Sequence, residues 1–270
     1  MSRKLGVRGV SATAVAVVQF ISLQPATAQS ADELAKKLSN PIANLVSVPF
    51  QYNQNSGFGD GDGEQSYLNI QPVIPFSIGD NWNVISRTIL PVVDQHDITG
   101  PGESQTGLGN ITQSFFFSPK EPTQSGLIWG VGPVLQIPTA TDDIAPNQWG
   151  AGVTGVALKQ MNGWTVGVLA NHIWSISDSQ KYGDSSNTFV QPFLSYTTKK
   201  ATSFGINTEA TYNWETEQWS VPINLTAAQI IKLGGNPVQL TAGVRYWADS
   251  PEEGPDGWGA RLAMTYLFPK

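Results

Sequence analysis

Four charged side chains stand apart in runs of sequence that otherwise carry small, amide and apolar residues: Arg87, Glu209, Arg245 and Arg261. A carboxylate beside guanidinium groups can knit neighbouring segments together through charge-assisted bonds, or it can sort charged solutes at a constriction. Amides recur in the same kind of run, at Gln51, Asn69, Gln71, Asn83, Gln191 and Asn207. These ten residues are the candidates to line an interior. A charge kept from bulk water must be paired, so Glu209 is expected to meet Arg245 or another inward arginine. Structural bridging and solute selection are both open for the set, and bridging is the commoner use of such pairs.

Nucleophilic chemistry has less to work with. The chain has no cysteine and two histidines, His96 and His172. His172 shares one strand face with Val166, Val168 and Trp174, while Ser175 points the other way, which leaves the histidine without a nucleophile to activate. His96 falls in an acidic loop. No phosphate-cradling glycine loop and no zinc-ligand spacing occurs, so neither cofactor nor metal is expected. Asp60-Gly61-Asp62 opens like a calcium loop but lacks the positions that complete one. The residues therefore read as those of a protein that is not an enzyme.

What must position the ten candidates is a set of strands. Beyond residue 43 the sequence alternates with period two. Trp258, Ala260, Leu262, Met264, Tyr266 and Phe268 fall on one face, and Gly257, Gly259, Arg261, Ala263 and Thr265 on the other. The same split separates Val238, Leu240, Ala242, Val244 and Tyr246 from Gln239, Thr241, Gly243 and Arg245. It recurs around residues 46–53, 67–76, 203–212 and 219–226. A soluble sheet would bury the apolar set, whereas a barrel in lipid turns it outward and gives the polar set to the lumen.

Connections alternate in length. Short turns are expected near residues 78–80, 161–163, 198–200 and 233–235, and longer polar loops at 53–64, 94–105, 138–148, 175–186 and 249–256. Lysines gather at the short turns and carboxylates in the long loops. Tryptophans 82, 129, 149, 164, 174, 219, 247 and 258 lie at or near strand ends, as interfacial aromatics do. The pattern predicts an all-β, transmembrane, antiparallel up-and-down barrel of about twelve strands. Prolines 49, 72, 75, 91, 133, 192 and 222 fall inside these strands and should mark bulges or strand ends, since proline removes a ladder bond.

Bulk properties agree. Of 270 residues only 13% are charged, and the formal net charge of −6 argues against a nucleic-acid partner. A basic start (Arg3, Lys4, Arg8), an apolar stretch at 10–23 and Ala26-Thr27-Ala28 predict a secretory leader over residues 1–28. A short helix and linker (29–42), lying in the periplasm or capping the lower mouth, and a barrel over residues 43–270 would follow. No later apolar run reaches the roughly 20 residues of a spanning helix, so a membrane protein made from this chain must be a barrel.

Several pieces together resemble a known family. They are Gly107-Leu108-Gly109, the stretch from Gly130-Val131-Gly132-Pro133 to Pro138-Thr139-Ala140-Thr141-Asp142, Gly167 through Ser175, Gln191-Pro192-Phe193, Asn213-Trp214-Glu215, Val221-Pro222, and the closing Leu267-Phe268-Pro269-Lys270. The chain is similar across nearly its whole mature length to the bacterial outer-membrane barrels labelled "transporter" or "MetA-pathway of phenol degradation". It departs at Asn110, where that family carries an acidic residue. The resemblance implies a barrel distantly akin to fatty-acid and aromatic-hydrocarbon channels, and an ending (Tyr266, Phe268) like the signal read by the barrel-assembly machinery. The expected function is passive transport of small, hydrophobic or aromatic molecules across a bacterial outer membrane. The expected partners are lipid, lipopolysaccharide and the solute itself, and the protein would be a monomer. The alternatives are a structural or adhesive barrel and, less favoured, a lipid-modifying enzyme.

Overall fold

The computed structural model describes residues 29–141, 144–177 and 182–269; the leader over 1–28 lies outside them. Helix α1 (Ala31–Leu38) comes first. Twelve strands follow: β1 (Val46–Phe58), β2 in two segments (Gly63–Ile70 and Val73–Ile78), β3 (Trp82–His96), β4 in two (Ser104–Leu108 and Ile111–Pro119), β5 (Leu127–Ile137), β6 (Gly150–Met161), β7 (Trp164–Ser175), β8 (Ser186–Thr197), β9 in two (Thr202–Thr208 and Ala210–Asn213), β10 (Gln218–Leu233), β11 (Asn236–Asp249) and β12 (Gly257–Phe268). Each strand runs antiparallel to the next, and β12 returns to pair with β1 from Val46↔Phe268 to Gln54↔Ala260. Closure leaves no sheet edge, so every ladder can be completed within the wall.

The alternation read from the sequence is the inside–outside alternation of this wall. Leu262, Phe204, Leu225 and Val153 are each half exposed or more on the outer surface. Arg245, Asn224, Asn53 and Thr265 are buried inside. A water-soluble fold would invert this arrangement, and among the described residues no helix is long and apolar enough to cross a membrane. Outer aromatics pair near the rims: Trp82 with Trp129 at 5.9 Å between ring centroids, Trp164 with Tyr196 at 4.9 Å, and Tyr246 with Trp258 at 5.1 Å. Trp247 is an exception to the expected girdle. It faces inward, its indole N–H donating to Asn55 Oδ1 at 3.2 Å.

Tight turns close the lower end. Asn162 and Gly163 (φ 49° and 86°) join β6 to β7, and Gly234 and Gly235 (φ 57° and 87°) join β10 to β11. Two successive positive φ values suit the right-handed twist of a two-residue hairpin and favour Asn and Gly there. At the upper end the loop expected over 53–64 is mostly strand: β1 and β2 extend upward as a hairpin whose turn is residues 59–62. Alternation weakens above the bilayer, where both strand faces meet water, so the sequence alone ends these strands too early.

The prolines act in two ways. Pro91 and Pro222 stand at register slips. Three residues on β3 (89 to 92) span four on β4 (108 to 112), and β11 gains a residue against β10 beside Pro222. Pro72 and Pro192 interrupt hydrogen bonding without a slip: the offset between β2 and β3 is the same on both sides of residue 72, and that between β8 and β9 is the same on both sides of residue 192.

The N-terminal segment folds into the lower mouth. Ser30 caps α1 in a reciprocal box with Glu33, and Asp32 and Lys36 pair one turn apart. Leu34 and Ala35 bury against Leu45, Ala201, Ile230 and Leu267, all at the lower ends of strands or in their turns. Ser39 Oγ meets Thr165 Oγ1 at 2.9 Å, and Gln160 Nε2 donates to the Lys36 carbonyl at 2.8 Å. Ile42 reaches farther across and packs on Ile85, Phe116, Val156, Leu158 and Leu169.

Candidate functional site

The interior has two unlike walls. From β9 through β12 to β3 it carries amides, a tyrosine and the four charges. From β3 to β8 it carries Ile85, Phe116, Val156, Leu158 and Leu169, with Ile128, Phe189 and Phe193 beside them. The uniformly polar lining that the alternation suggested therefore holds for one half only. On β6 the outer residues are no more apolar than the inner ones, and period two cannot tell which apolar set is inside.

Glu209 is the centre of the polar half. Its Oε2 accepts from Arg245 Nη2 and from Arg261 Nη2, both at 2.7 Å, and its Oε1 accepts from Arg261 Nη1 at 2.9 Å. The Arg261 pair is the two-pronged geometry in which a guanidinium matches a carboxylate best. Neither arginine relies on Glu209 alone. Arg261 Nε donates to Asn53 Oδ1 at 2.7 Å. Arg245 Nε donates to Asn224 Oδ1 at 2.8 Å, and its Nη1 to the Tyr67 hydroxyl at 2.6 Å and Asn55 Oδ1 at 3.4 Å. The Trp247 ring lies 5.6 Å from the Arg245 guanidinium carbon. Buried charges in low dielectric need this degree of satisfaction, because each missing bond leaves a donor without water.

The chain of bonds runs on downward. Asn224 Nδ2 donates to Asn207 Oδ1 at 2.9 Å. Arg87 Nη2 donates to Gln71 Oε1 at 3.2 Å, and Gln71 Nε2 in turn to Gln51 Oε1 at 3.4 Å. Seven of the ten sequence candidates thus fall in or beside one network: Gln51, Gln71, Arg87, Asn207, Glu209, Arg245 and Arg261. Asn69 lies on the same inner face of β2 between Tyr67 and Gln71. Gln191 lines the space below the network. Asn83 is apart, near the lower end of β3, where the Ser77 hydroxyl donates to its Oδ1 at 3.2 Å.

Sequence reasoning missed Asn53, Asn55, Tyr67, Asn224 and Trp247 as members of the network. Asn53, Tyr67 and Asn224 were on the polar faces, and period two alone could have added them. Trp247 was assigned to the rim on residue type, although its parity with Arg245 places it inside.

Between this network and the N-terminal segment lies a cavity of about 310 Å³. Residues 35–45 form its floor, and Arg87, Arg261, Gln51, Gln71 and Asn207 lie toward its roof. Val73 and Phe193 bring the apolar wall to its side.

A second cluster sits on the outer surface. His172 Nδ1 lies 2.7 Å from Thr188 Oγ1, its Nε2 3.3 Å from Ser186 Oγ, and its ring 4.1 Å from that of Trp174. The serine near this histidine is thus Ser186, on the neighbouring strand, and not Ser175. Cross-strand proximity is invisible without the β7–β8 register, which places His172 opposite Thr188. His96, at the end of β3, bonds Ser104 Oγ at 2.7 Å and Asp94 Oδ2 at 3.2 Å. Among the described residues no group of three or more His, Cys, Asp or Glu could hold a metal ion.

No family model and no curated protein matches the chain. Solved structures do. An outer-membrane channel from Pseudomonas putida F1 superposes with a TM-score of 0.63 at 16% identity, over 83% of this chain and 96% of that one. The chain has the fold of a solved outer-membrane channel. The outer-membrane phospholipase A of Escherichia coli also superposes, with a TM-score of 0.51 at 9% identity, over 83% of this chain and 90% of that one. Two different activities on one architecture mean that the fold by itself names neither. The antiparallel barrel with a short N-terminal helix, expected from the sequence and implied by the family resemblance, is the fold observed.

Proposed function

We propose that the protein is a monomeric channel of the bacterial outer membrane, exported by its N-terminal leader, that lets small solutes cross passively. The observation that carries this reading is the lumen: it is not filled by side chains but holds a cavity between a charged constriction and a mouth closed by residues 29–45. A Glu209–Arg245–Arg261 cluster that only bridged the wall would not require the open space beneath it. A solute filter needs both, since fixed charges at a narrow point set which ions and polar groups pass. The apolar half-wall supports the hydrophobic or aromatic solutes implied by the family resemblance. The aliphatic outer face would meet lipid and, at its upper rim, lipopolysaccharide, after insertion by the barrel-assembly machinery. The test is conductance of the purified protein in planar bilayers, with discrete current steps as the expected result.

One observation favours a second reading. Ser186, His172 and Thr188 form a serine–base–orienter series on the lipid-facing surface, which is the arrangement a lipid hydrolase requires. Against it, Thr188 is neutral and already accepts the indole N–H of Trp214 at 2.8 Å. It can orient the ring but offers no charge to the imidazolium that a general base becomes. Phospholipid hydrolysis by pure protein, abolished in Ser186→Ala and His172→Ala, would establish the enzyme. Equal background release in both variants and wild type is expected.

A further inference from the structure

The cavity below the Glu209 cluster has a charge signature of its own. Its lining includes Arg87, Arg261 and Lys37, and it includes no carboxylate. Arg261 is held by Glu209 and Asn53 above. Among the described residues the other two cations have no carboxylate at ion-pair distance, and Arg87 feels the Glu209 charge only through space. Among the described residues Arg87 spends only Nη2 on a neighbour, the neutral amide of Gln71, and forms no direct ion pair. Its Nη1 and Nε therefore keep donors for which the described residues supply no acceptor. Lys37, in the last turn of α1, likewise has no ion pair among the described residues, whereas its neighbour Lys36 is matched by Asp32.

The surroundings of Arg87 are two-sided. Along β3 and β2 it stands opposite Val73, which belongs to the apolar wall, and one residue beyond Pro72 lies Gln71 of the polar network. Phe193 enters the same cavity from β8. A partly buried guanidinium with unspent donors at the border of an apolar surface is a site for a ligand that combines an anionic head with an apolar body. A cavity of about 310 Å³ is at the small end for ligand sites and admits one short molecule, not a phospholipid.

We infer that this cavity is a binding site for a small amphipathic carboxylate, with the carboxylate on Arg87, the Lys37 ammonium adding positive charge from the floor, and the aliphatic or aromatic body against Phe193 and Val73. The assignment rests on the channel reading for its purpose, as the resting place of a permeating solute, but its chemistry is independent of transport. It also sharpens the solute class: neutral hydrocarbons would leave the two cations unmatched, and multivalent polar anions would gain nothing from the apolar side.

The test is equilibrium binding to the full-length protein in detergent by titration calorimetry, with hexanoate and benzoate as probes and hexanol and benzyl alcohol as their neutral counterparts. Expected are binding of both carboxylates, at least tenfold weaker binding of both alcohols, and a loss of about tenfold in carboxylate affinity in Arg87→Gln. Lys37→Gln, on the helix surface and outside the barrel wall, is expected to weaken binding severalfold and guards against misfolding of the first variant. Alcohols binding as well as acids, no binding of either acid, or unchanged affinity in both variants would overturn the assignment. Planar-bilayer recording of the same preparation separates the two claims. Carboxylate binding without current keeps the site and removes the channel; current without carboxylate binding keeps the channel and removes the site.

Discussion

Pro222 stands directly opposite Glu209 across the β9–β10 ladder, and the Glu209 N–H reaches the Pro222 carbonyl at 3.4 Å. Proline has no N–H to return, so the Glu209 carbonyl loses its ladder bond on that side. On the other side Thr208 faces Pro192, which also lacks a donor. Two prolines on flanking strands thus isolate the one acidic residue of the charged cluster in a two-sided gap in hydrogen bonding, and β9 is split there. The backbone at Glu209 is freed from regular pairing at the place where its side chain must reach two arginines on β11 and β12.

Removing the acid should expose how much the cluster depends on it. Glu209→Gln leaves the Arg245 and Arg261 guanidiniums buried with one neutral partner between them. Loss of one member of a buried charge set costs about 3–5 kcal/mol, and partial exposure of Glu209 to the lumen places the expected cost toward the lower figure. The check is the temperature at which the folded, fast-migrating band is lost in gels of unheated protein. The same variant should shift reversal potential toward anions, since the lumen then carries three arginines uncompensated.

The N-terminal plug can be locked in place. Ser39 and Thr165 have hydroxyls 2.9 Å apart, so cysteines at the two positions would bring their sulfurs within reach of each other, and the chain has no cysteine of its own to interfere. In Ser39→Cys/Thr165→Cys, oxidised protein should hold conductance at its lowest level and reduction should restore the wild-type level. Identical currents in both redox states would mean that the segment does not move during conduction.

The outward set offers a direct test of the solvent it meets. Leu262 is 57% exposed at mid-height on β12. If lipid surrounds it, Leu262→Arg should cost about 2–4 kcal/mol, measured by denaturant titration in bilayers. If water surrounds it, the change should lie within about 0.5 kcal/mol, as for ordinary surface substitutions.

One pH effect follows from α1. The hydrogen bond from Ser30, with help from Lys36, holds the Asp32 carboxyl below its ordinary value of 3.8. A folded-state pKa below the unfolded one contributes stability that is present above the unfolded value and lost as pH falls through the folded one. Acidification below 3.8 should loosen the first turn of α1 alone. Hydrogen exchange corrected for its intrinsic pH dependence should show faster exchange at residues 31–35 with the barrel ladders unchanged. The effect is small because the carboxyl is in water.

How much was legible in the sequence depended on whether period two carried information. On β11 and β12, where Leu262 alternates with Arg261 and Val244 with Arg245, the faces, strand limits and inward charges all read directly. The Glu209 pairing was legible too, because a lone acid among inward arginines has few partners. On β6 the inner Val156 and Leu158 alternate with Gly155, Ala157 and Lys159, the reverse of the expected polarity, and there the apolar half of the lumen was hidden. Pairings that join distant residues, such as Tyr67 with Arg245 or His172 with Ser186, needed strand register, which bulges beside Pro91 and Pro222 make impossible to count from the sequence. The N-terminal segment was legible as a helix in the periplasm or capping the lower mouth, and the choice between the two rests on Ile42 and Leu45, whose partners lie on strands from β3 to β12.

Ions crossing the lumen should pass a constriction set by Glu209 and its arginines. Single-channel recording in planar bilayers under a salt gradient tests it most directly, with wild type beside Glu209→Gln. Expected are discrete current steps for both and a reversal potential displaced toward anion preference in the variant. A bilayer that stays at baseline for both, or steps with the same reversal potential, would contradict it.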